Sequence, residues 1–78
     1  MKKSNSTNLP ERDLASKIDR ITHLLTVAEL EAETWFANST IYDWVAEGSI
    51  PYLLFGRSIR FDPHQIAEWL REHYVQAA

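Results

Sequence analysis

Three punctuation signals in the middle of the chain constrain its fold more than any other feature. Thr26 is followed three residues later by Glu29, the spacing of a capping box that satisfies two backbone donors at a helix start. Gly48 follows a run of helical character, and glycine readily adopts the left-handed conformation that ends a helix. Gly56 and Arg57 separate two short strand-like segments, residues 50–55 and 58–61, and glycine first in a two-residue loop favours a type II′ hairpin. The order of these signals predicts two short helices followed by a hairpin.

Apolar spacing around these signals predicts the core-facing side chains. Leu30 is the expected core residue of the first helix, and Asn38, with Ser39 as the alternative, is the expected cap of the second. The inward stripe of the second helix is expected to be Ile41, Trp44 and Val45. Trp35 and Phe36 lie between the two helices. We expect this pair to fill part of the core, with an exposed aromatic contact surface as the alternative.

Alternation along the first strand predicts a hairpin with one buried face. Leu53 and Phe55 alternate with Tyr52 and Leu54, so we expect the first two to be buried and the others to be partly exposed. Asp62 followed by proline then predicts the start of a final helix. The expected core-facing stripe of that helix is Ile66, Trp69, Leu70 and Tyr74.

The N-terminal third of the chain predicts a separate helix. Residues 1–8 are polar and are expected to form a disordered tail. Residues 9–25 are expected to be helical, and residues 26–75 to form the main domain. A single apolar stripe runs along the N-terminal helix and consists of Leu14, Ile18, Ile21 and Leu25. Helical spacing allows this stripe either to pack on its own domain or to form the seam of a homodimer.

Composition excludes several classes of function. The chain has 78 residues, no cysteine and two glycines, so thiolate metal sites and glycine-rich phosphate loops are absent from the sequence. The three histidines show neither the spacing of metal ligands on a helix nor a nucleophile arrangement. No apolar run approaches the roughly 20 residues that span a membrane, and no export signal is evident. We therefore expect a cytoplasmic protein that is not an enzyme and needs no metal or cofactor.

The expected fold class is mainly α with a small β-hairpin: a winged helix-turn-helix preceded by an extra N-terminal helix. The residues that carry the pattern are TVAEL from Thr26, NSTIYDWVAEGSIP from Asn38, GRSIRFD from Gly56 and IAEWL from Ile66. In this order and spacing they resemble the excisionase family of small winged helix-turn-helix domains, which is akin to the MerR type.

This resemblance implies binding to double-stranded DNA. Such proteins act in recombination of a phage, prophage or mobile element beside a recombinase or integrase, or regulate transcription. By position, the implied DNA-binding residues are Asn38, Ser39, Tyr42, Asp43, Arg57, Ser58 and Arg60. Asn38 suits an adenine edge and Asp43 can accept from cytosine, while Arg57 at a projecting tip suits a narrow groove.

Charge distribution keeps a second hypothesis open. Residues 26–49 contain no Lys or Arg but five acidic residues, within a chain of net charge −3. DNA affinity depends strongly on cations that neutralise phosphates. The alternative function is therefore a protein-interaction module on a winged-helix scaffold that uses Trp35, Phe36, Tyr42 and the acidic helix face.

Overall fold

A computed structural model describes the backbone of residues 10–73 and the side chains of residues 14–73. These residues form four helices and one antiparallel hairpin. In chain order the elements are α1 (Pro10–Asp19), α2 (Val27–Thr34), α3 (Asn38–Glu47), β1 (Leu53–Phe55), β2 (Ser58–Arg60) and α4 (Pro63–Glu72). The predicted fold class, a winged helix-turn-helix with an extra N-terminal helix, is confirmed. The predicted tail and the predicted role of Tyr74 lie outside the described residues.

One hydrophobic core joins all four helices to the base of the hairpin. Its largest fully buried side chains are Ile18, Leu25, Leu30, Ile41, Phe61 and Ile66. Ala15 of α1 and Ala67 of α4 are also fully buried, and such small side chains allow two helices to approach closely. The most extensive helix–helix packing in this part of the chain is accordingly between α1 and α4.

The N-terminal helix is shorter than predicted. It ends at Asp19 rather than at residue 25, because the amides of Arg20 and Ile21 close its last turn on the carbonyls of Lys17 and Ile18. Beyond this turn the chain extends, and Leu25 takes part in a β-bridge instead of a helix.

The apolar stripe of this segment packs on its own domain. Ile18 and Leu25 are buried in the core, and Leu14 and Ile21 pack against it half-buried. This burial agrees with the packing alternative. Ile18 and Leu25 have no surface left to offer as the seam of a homodimer.

A two-way backbone bridge links Leu25 to Phe61. Each amide donates to the carbonyl of the other residue at 2.8 Å, and both side chains are essentially inaccessible to solvent. The bridge fixes the residue that precedes the N-cap of α2 against the residue just after β2. It therefore sets the position of the hairpin relative to α2.

The predicted capping box at the start of α2 is confirmed. The Thr26 Oγ1 accepts from the Glu29 amide at 3.1 Å, and the Thr26 amide donates to the Glu29 carboxylate at 2.9 Å. This reciprocal pair satisfies two donors that a helix start otherwise leaves without partners.

Trp35 ends α2 in the left-handed conformation, with a φ of 66°. The Thr34 hydroxyl supports this turn, since it donates to the Leu30 carbonyl at 2.7 Å and accepts from the Phe36 amide at 3.3 Å. Phe36 is half-buried as predicted, but the Trp35 side chain is 89% exposed, so the prediction that Trp35 fills the core is wrong. The left-handed backbone turns its side chain away from the domain.

Helix α3 begins without a side-chain cap. Its N-cap is Ala37, whose carbonyl accepts from the Ile41 amide at 3.1 Å, and the predicted caps Asn38 and Ser39 are already inside the helix. At the other end Gly48 adopts a φ of 72°, which confirms the predicted glycine stop.

The hairpin, which we call the wing, projects from the domain. Its register pairs Phe55 with Ser58 and leaves Gly56-Arg57 as a two-residue loop. Gly56 has a φ of 62° while that of Arg57 is not positive, as a type II′ turn requires. The prediction that one face of β1 is buried is wrong, because Leu53 and Phe55 are 37% and 57% exposed. Full burial is confined to the base of the wing, where Ile50 and Phe61 enter the core, and Ile59 of β2 packs against the core half-buried.

The final helix starts as predicted. The Asp62 carboxylate accepts from the His64 amide at 2.9 Å, and Pro63 occupies the first turn. Ile66 and Leu70 are buried, and Trp69 packs against the core half-buried. Within the part of the chain described, no helix has the length and apolar character needed to cross a bilayer.

Asp19 joins α1 to both ends of α4. Its carboxylate bonds to the His64 ring, and its second oxygen accepts from Arg71 Nη2 at 3.3 Å. The hydrogen bond to His64 is the main reason that the pKa of Asp19 lies below its usual value, and the same bond raises the pKa of His64.

We expect His64→Ala to destabilise the protein in a pH-dependent way. A raised histidine pKa adds stability that is complete below the unfolded pKa of about 6.5 and is lost as the pH rises through the folded pKa. The lowered pKa of Asp19 adds stability that is present above about 3.9 and is lost as the pH falls through the folded value. The variant should therefore lower the melting temperature at about pH 5.5 more than at about pH 9.

The matched control is His23→Ala, because the His23 ring is exposed and bonds to the neighbouring Leu24 carbonyl. It should change the melting temperature little at either pH. Equal losses at both pH values in His64→Ala would contradict the role given to the Asp19–His64 pair.

The left-handed backbone of Trp35 leads to a second prediction. Since a left-handed conformation is strained for any residue except glycine, Trp35→Gly should raise the free energy of unfolding by about 0.5–1 kcal/mol. The exposed indole gives up little packing in return. Gly48→Ala should lower the free energy of unfolding by about 1 kcal/mol, because alanine is strained in the same left-handed conformation. A steric clash does not contribute, since a Cβ at Gly48 would have no heavy atom within 4 Å. Urea unfolding measures both, and a less stable Trp35→Gly would contradict the strain argument.

Candidate nucleic-acid interface

A shallow groove of about 400 Å³ lies where the wing approaches α2 and α3. We call it the wing groove. Its lining consists of Thr26, Val27, Ala28, Tyr42, Arg57, Ser58, Ile59 and Arg60. The groove thus combines the start of α2, one face of α3 and the tip and return strand of the wing.

The start of α2 contributes backbone donors to the wing groove. Thr26 satisfies the amide of Glu29, but the amides of Val27 and Ala28, in the first turn of the helix, have no acceptor within it. The helix macrodipole adds a partial positive charge at the same end. Amides and dipole together make a helix start a suitable site for an anion such as a phosphate.

The wing contributes two guanidinium groups. Arg57 stands exposed at the second position of the tip loop, and Arg60 is half-buried and donates from Nη1 to the Ile59 carbonyl at 2.8 Å. The contact fixes the Arg60 side chain along its own strand. Two cations therefore share the groove with the start of α2.

Glu29 partly offsets these cations. The backbone amide of Thr26 is the main cause that lowers the pKa of Glu29, and the charge of Arg60 contributes a smaller part. The carboxylate is therefore ionised at neutral pH and lies close enough to Arg60 to interact with it. Arg57 is left as the more available cation of the groove.

Four of the seven predicted site residues meet in the wing groove. Tyr42 is 50% exposed and forms the α3 wall, opposite the side chains of the wing. The members of this group are Tyr42, Arg57, Ser58 and Arg60. Residues 15 or more positions apart in the sequence are brought together by the way the wing folds back.

The other three predicted residues lie outside the wing groove. Asn38 and Ser39 are exposed in the first turn of α3, and Asp43 is exposed next to Tyr42. They belong to the same outward surface of α3 without lining the groove. Their assignment to base contacts stays a prediction.

Sequence reasoning missed the start of α2 as part of the site. Thr26, Val27 and Ala28 carry no charge and no distinctive side chain, so a search for cations and amides passes over them. The capping box was the available signal, since it marks a helix start and every helix start presents amides without partners.

The titratable groups of the described surface form no metal-binding cluster. The histidines His23, His64 and His73 are all exposed, and residues 14–73 contain no group of His, Asp or Glu that could hold a metal ion. Basic charge comes from the wing, whereas α3 carries Asp43 and Glu47 and no cation.

Comparisons with known proteins agree with this geometry. A family model described as a helix-turn-helix domain matches residues 24–74, which is more than half of the chain and includes the wing groove. No curated protein and no solved structure shows significant similarity to the chain. Domains of this family are typically non-enzymatic. The chain therefore belongs to the helix-turn-helix domain family and is a small DNA-binding protein of that family.

Proposed function

We propose that the protein is a DNA-binding factor of the excisionase type. In this role it assists site-specific recombination of a phage or mobile element, or regulates transcription nearby, inside a bacterial cell. The observation that carries the proposal is the wing groove, where Arg57, Arg60 and the start of α2 line one shallow space beside the exposed face of α3.

The bound geometry follows from the relation of α3 to the wing. An α-helix fits the major groove of B-DNA, so α3 lies there with its exposed face toward the bases. The wing then reaches the neighbouring backbone or minor groove with Arg57 at its tip, and the electronegative minor groove attracts arginine.

Phosphate binding is assigned to the wing groove. A phosphate at the start of α2 receives the amides of Val27 and Ala28, while Arg57 supplies the charge. Tyr42 can donate its hydroxyl to the same backbone. Such contacts fix the orientation of the protein on the duplex, and base contacts provide sequence discrimination.

Base reading is assigned to the exposed face of α3. Asn38 can pair with adenine and Asp43 can accept from the amino group of cytosine, while Ser39 can bond to several bases. Because α3 carries no cation, these contacts add discrimination more than affinity.

Weak binding by a single copy is a consequence of this charge distribution. Each phosphate contact contributes about 0.9 to the slope of log affinity against log salt, and the wing groove offers few such contacts. A recombinase or integrase bound to the adjacent DNA would compensate through cooperative loading.

An alternative function is supported by a different observation. Trp35 is 89% exposed in a strained left-handed turn, and exposed aromatic side chains often mark contacts with other proteins. In that alternative, the acidic α3 and Trp35 bind a protein and the wing no longer contacts DNA.

The first test of the proposal is Arg57→Ala. Removal of one phosphate-neutralising side chain should weaken DNA binding and flatten the salt slope by about 0.9. The measurement is fluorescence anisotropy with a labelled duplex from the element's attachment region, at several salt concentrations. Arg20→Ala is the control, because it removes the same charge from the exposed turn after α1.

The proposal is overturned if the unmodified protein shows no salt-dependent binding to any duplex, with or without the neighbouring recombinase. Equal effects of Arg57→Ala and Arg20→Ala would instead contradict the role given to the wing tip in DNA binding.

A second test separates DNA binding from folding. Ala28→Asp places a carboxylate at the start of α2, where the helix dipole favours it, so the free energy of unfolding should stay equal or rise by up to about 1 kcal/mol. The same carboxylate should repel a phosphate in the wing groove and lower DNA affinity by about tenfold or more.

The control for this variant is Ala32→Asp. Ala32 is exposed on the same helix but does not line the wing groove. It should leave DNA affinity nearly unchanged. If both variants weaken binding equally, the loss reflects net charge and the phosphate site at α2 is wrong.

A further inference from the structure

A second groove of about 390 Å³ lies between α3 and α4. We call it the aromatic groove. Its lining consists of Phe36, Trp44, Ser49, Trp69, Leu70 and His73. A volume of this size is within the range of pockets that bind ligands, and aromatic lining is typical of such pockets.

The rings of the aromatic groove support one another. The centroid of the Trp44 ring lies 5.1 Å from the centroid of the Phe36 ring and 5.3 Å from that of the Trp69 ring, and both pairs pack edge to face. Trp69 Nε1 donates to the Ser49 carbonyl at 2.9 Å, which fixes the indole. The rings therefore pack together into one apolar surface.

The aromatic groove faces away from the wing groove. Trp44 lies two residues after Tyr42 on α3, and residues two apart on a helix point to nearly opposite sides. Tyr42 lines the wing groove and Trp44 lines the aromatic groove. The two grooves can be occupied at the same time.

The surroundings of the aromatic groove are acidic. The Glu47 carboxylate accepts from the Ser49 hydroxyl at 3.4 Å at the edge of the groove, and Glu72 is exposed next to His73. Residues 26–49 contain no Lys or Arg. Lys17 of α1 pairs with Glu33 of α2 at 3.4 Å. Arg71 of α4 pairs with Asp19 at 3.3 Å, so both of these cations already have an acidic partner.

His73 adds an acceptor at the end of the groove. Its Nδ1 lies 2.6 Å from the Trp69 carbonyl, and a carbonyl can only accept, so Nδ1 carries the hydrogen. In the neutral ring Nε2 is then the acceptor, which suits an N–H donor from a bound segment.

From the apolar floor and the acidic edge we infer that the aromatic groove binds a segment of a partner protein that carries an apolar anchor side chain flanked by Lys or Arg. The anchor packs against Trp44 and Trp69, and the basic side chains face Glu47 and Glu72. Because this surface is separate from the wing groove, the inference does not depend on how the protein contacts DNA.

The experiment uses a short labelled peptide of Leu and Lys residues as the probe. A counterpart in which Glu replaces every Lys has the same apolar content and the opposite charge. Binding to the full chain is followed by anisotropy, and the site is located from the indole N–H resonances of Trp35, Trp44 and Trp69. We expect the basic peptide to bind and to shift the Trp44 and Trp69 signals, while the acidic peptide does not bind.

Two matched variants test the acidic edge. Glu47→Gln raises the net charge by one unit at the groove and should weaken the basic peptide about two- to fivefold, as expected for an exposed ion pair. Ala46→Lys makes the same change in net charge at an exposed position two residues from Trp44, and should have a smaller effect. Trp44→Phe keeps an aromatic ring in the cluster and should weaken both peptide binding and its effect on Trp69.

Several results would overturn the inference. These are equal binding of both peptides, shifts confined to Trp35 or to the wing groove, or equal effects of Glu47→Gln and Ala46→Lys. Binding that appears only after deletion of residues 74–78 would assign the groove to the chain's own C-terminal segment. Shifts of Trp44 with protein concentration alone would assign it to a second copy. A protein that binds the basic peptide but no duplex would support this inference while overturning the proposed function.

Discussion

The position of the wing depends on the bridge between Leu25 and Phe61. Two backbone hydrogen bonds of 2.8 Å tie the residue that precedes the N-cap of α2 to the residue after β2, and both side chains lie in the core. The strands themselves have three residues each; β1 is exposed throughout and β2 is at most half-buried, so neither strand has a fully buried side chain to dock against the helices. This bridge, with the packing of Ile59 on the core, sets where Arg57 and Arg60 lie relative to the start of α2.

The core holds α3 so that two of its sides line different grooves. Ile41 is the fully buried residue of α3, and Tyr42 and Trp44, which follow it in the sequence, line different grooves. A helix held at its inner face can present one side to DNA and another to a protein. The charges fit this division, since cations come from the wing and the edge of the aromatic groove is acidic.

Much of the fold was predictable from local rules. The capping box at Thr26, the glycine stop at Gly48, the Gly56 turn and the Asp62 cap are each decided by a few neighbouring residues, and all four are present. The errors arose where local patterns are ambiguous. Helical spacing up to Leu25 also fits a helix that ends at Asp19 and a strand-like residue that returns to the core.

The residues of the candidate site also differ in how far local sequence predicts them. Arg57 was recognisable as a turn residue at an exposed tip, whereas the contribution of Val27 and Ala28 depends on which element lies opposite them. Trp35 and Phe36 are adjacent in sequence, yet one is exposed and the other is half-buried, because a single left-handed residue reverses the direction of the chain between them. The alternation in β1 predicted a buried face that no element covers.

The sequence alone therefore determined the helix limits set by caps and glycines, the turn of the wing, and the absence of cations from α2 and α3, because these depend on residues close together in the chain. The tertiary structure decided where α1 ends, which aromatic side chains are exposed, and which residues meet in the two grooves. These depend on contacts between segments far apart in sequence, such as Leu25 with Phe61 and Asp19 with His64. Local spacing carries no record of such contacts.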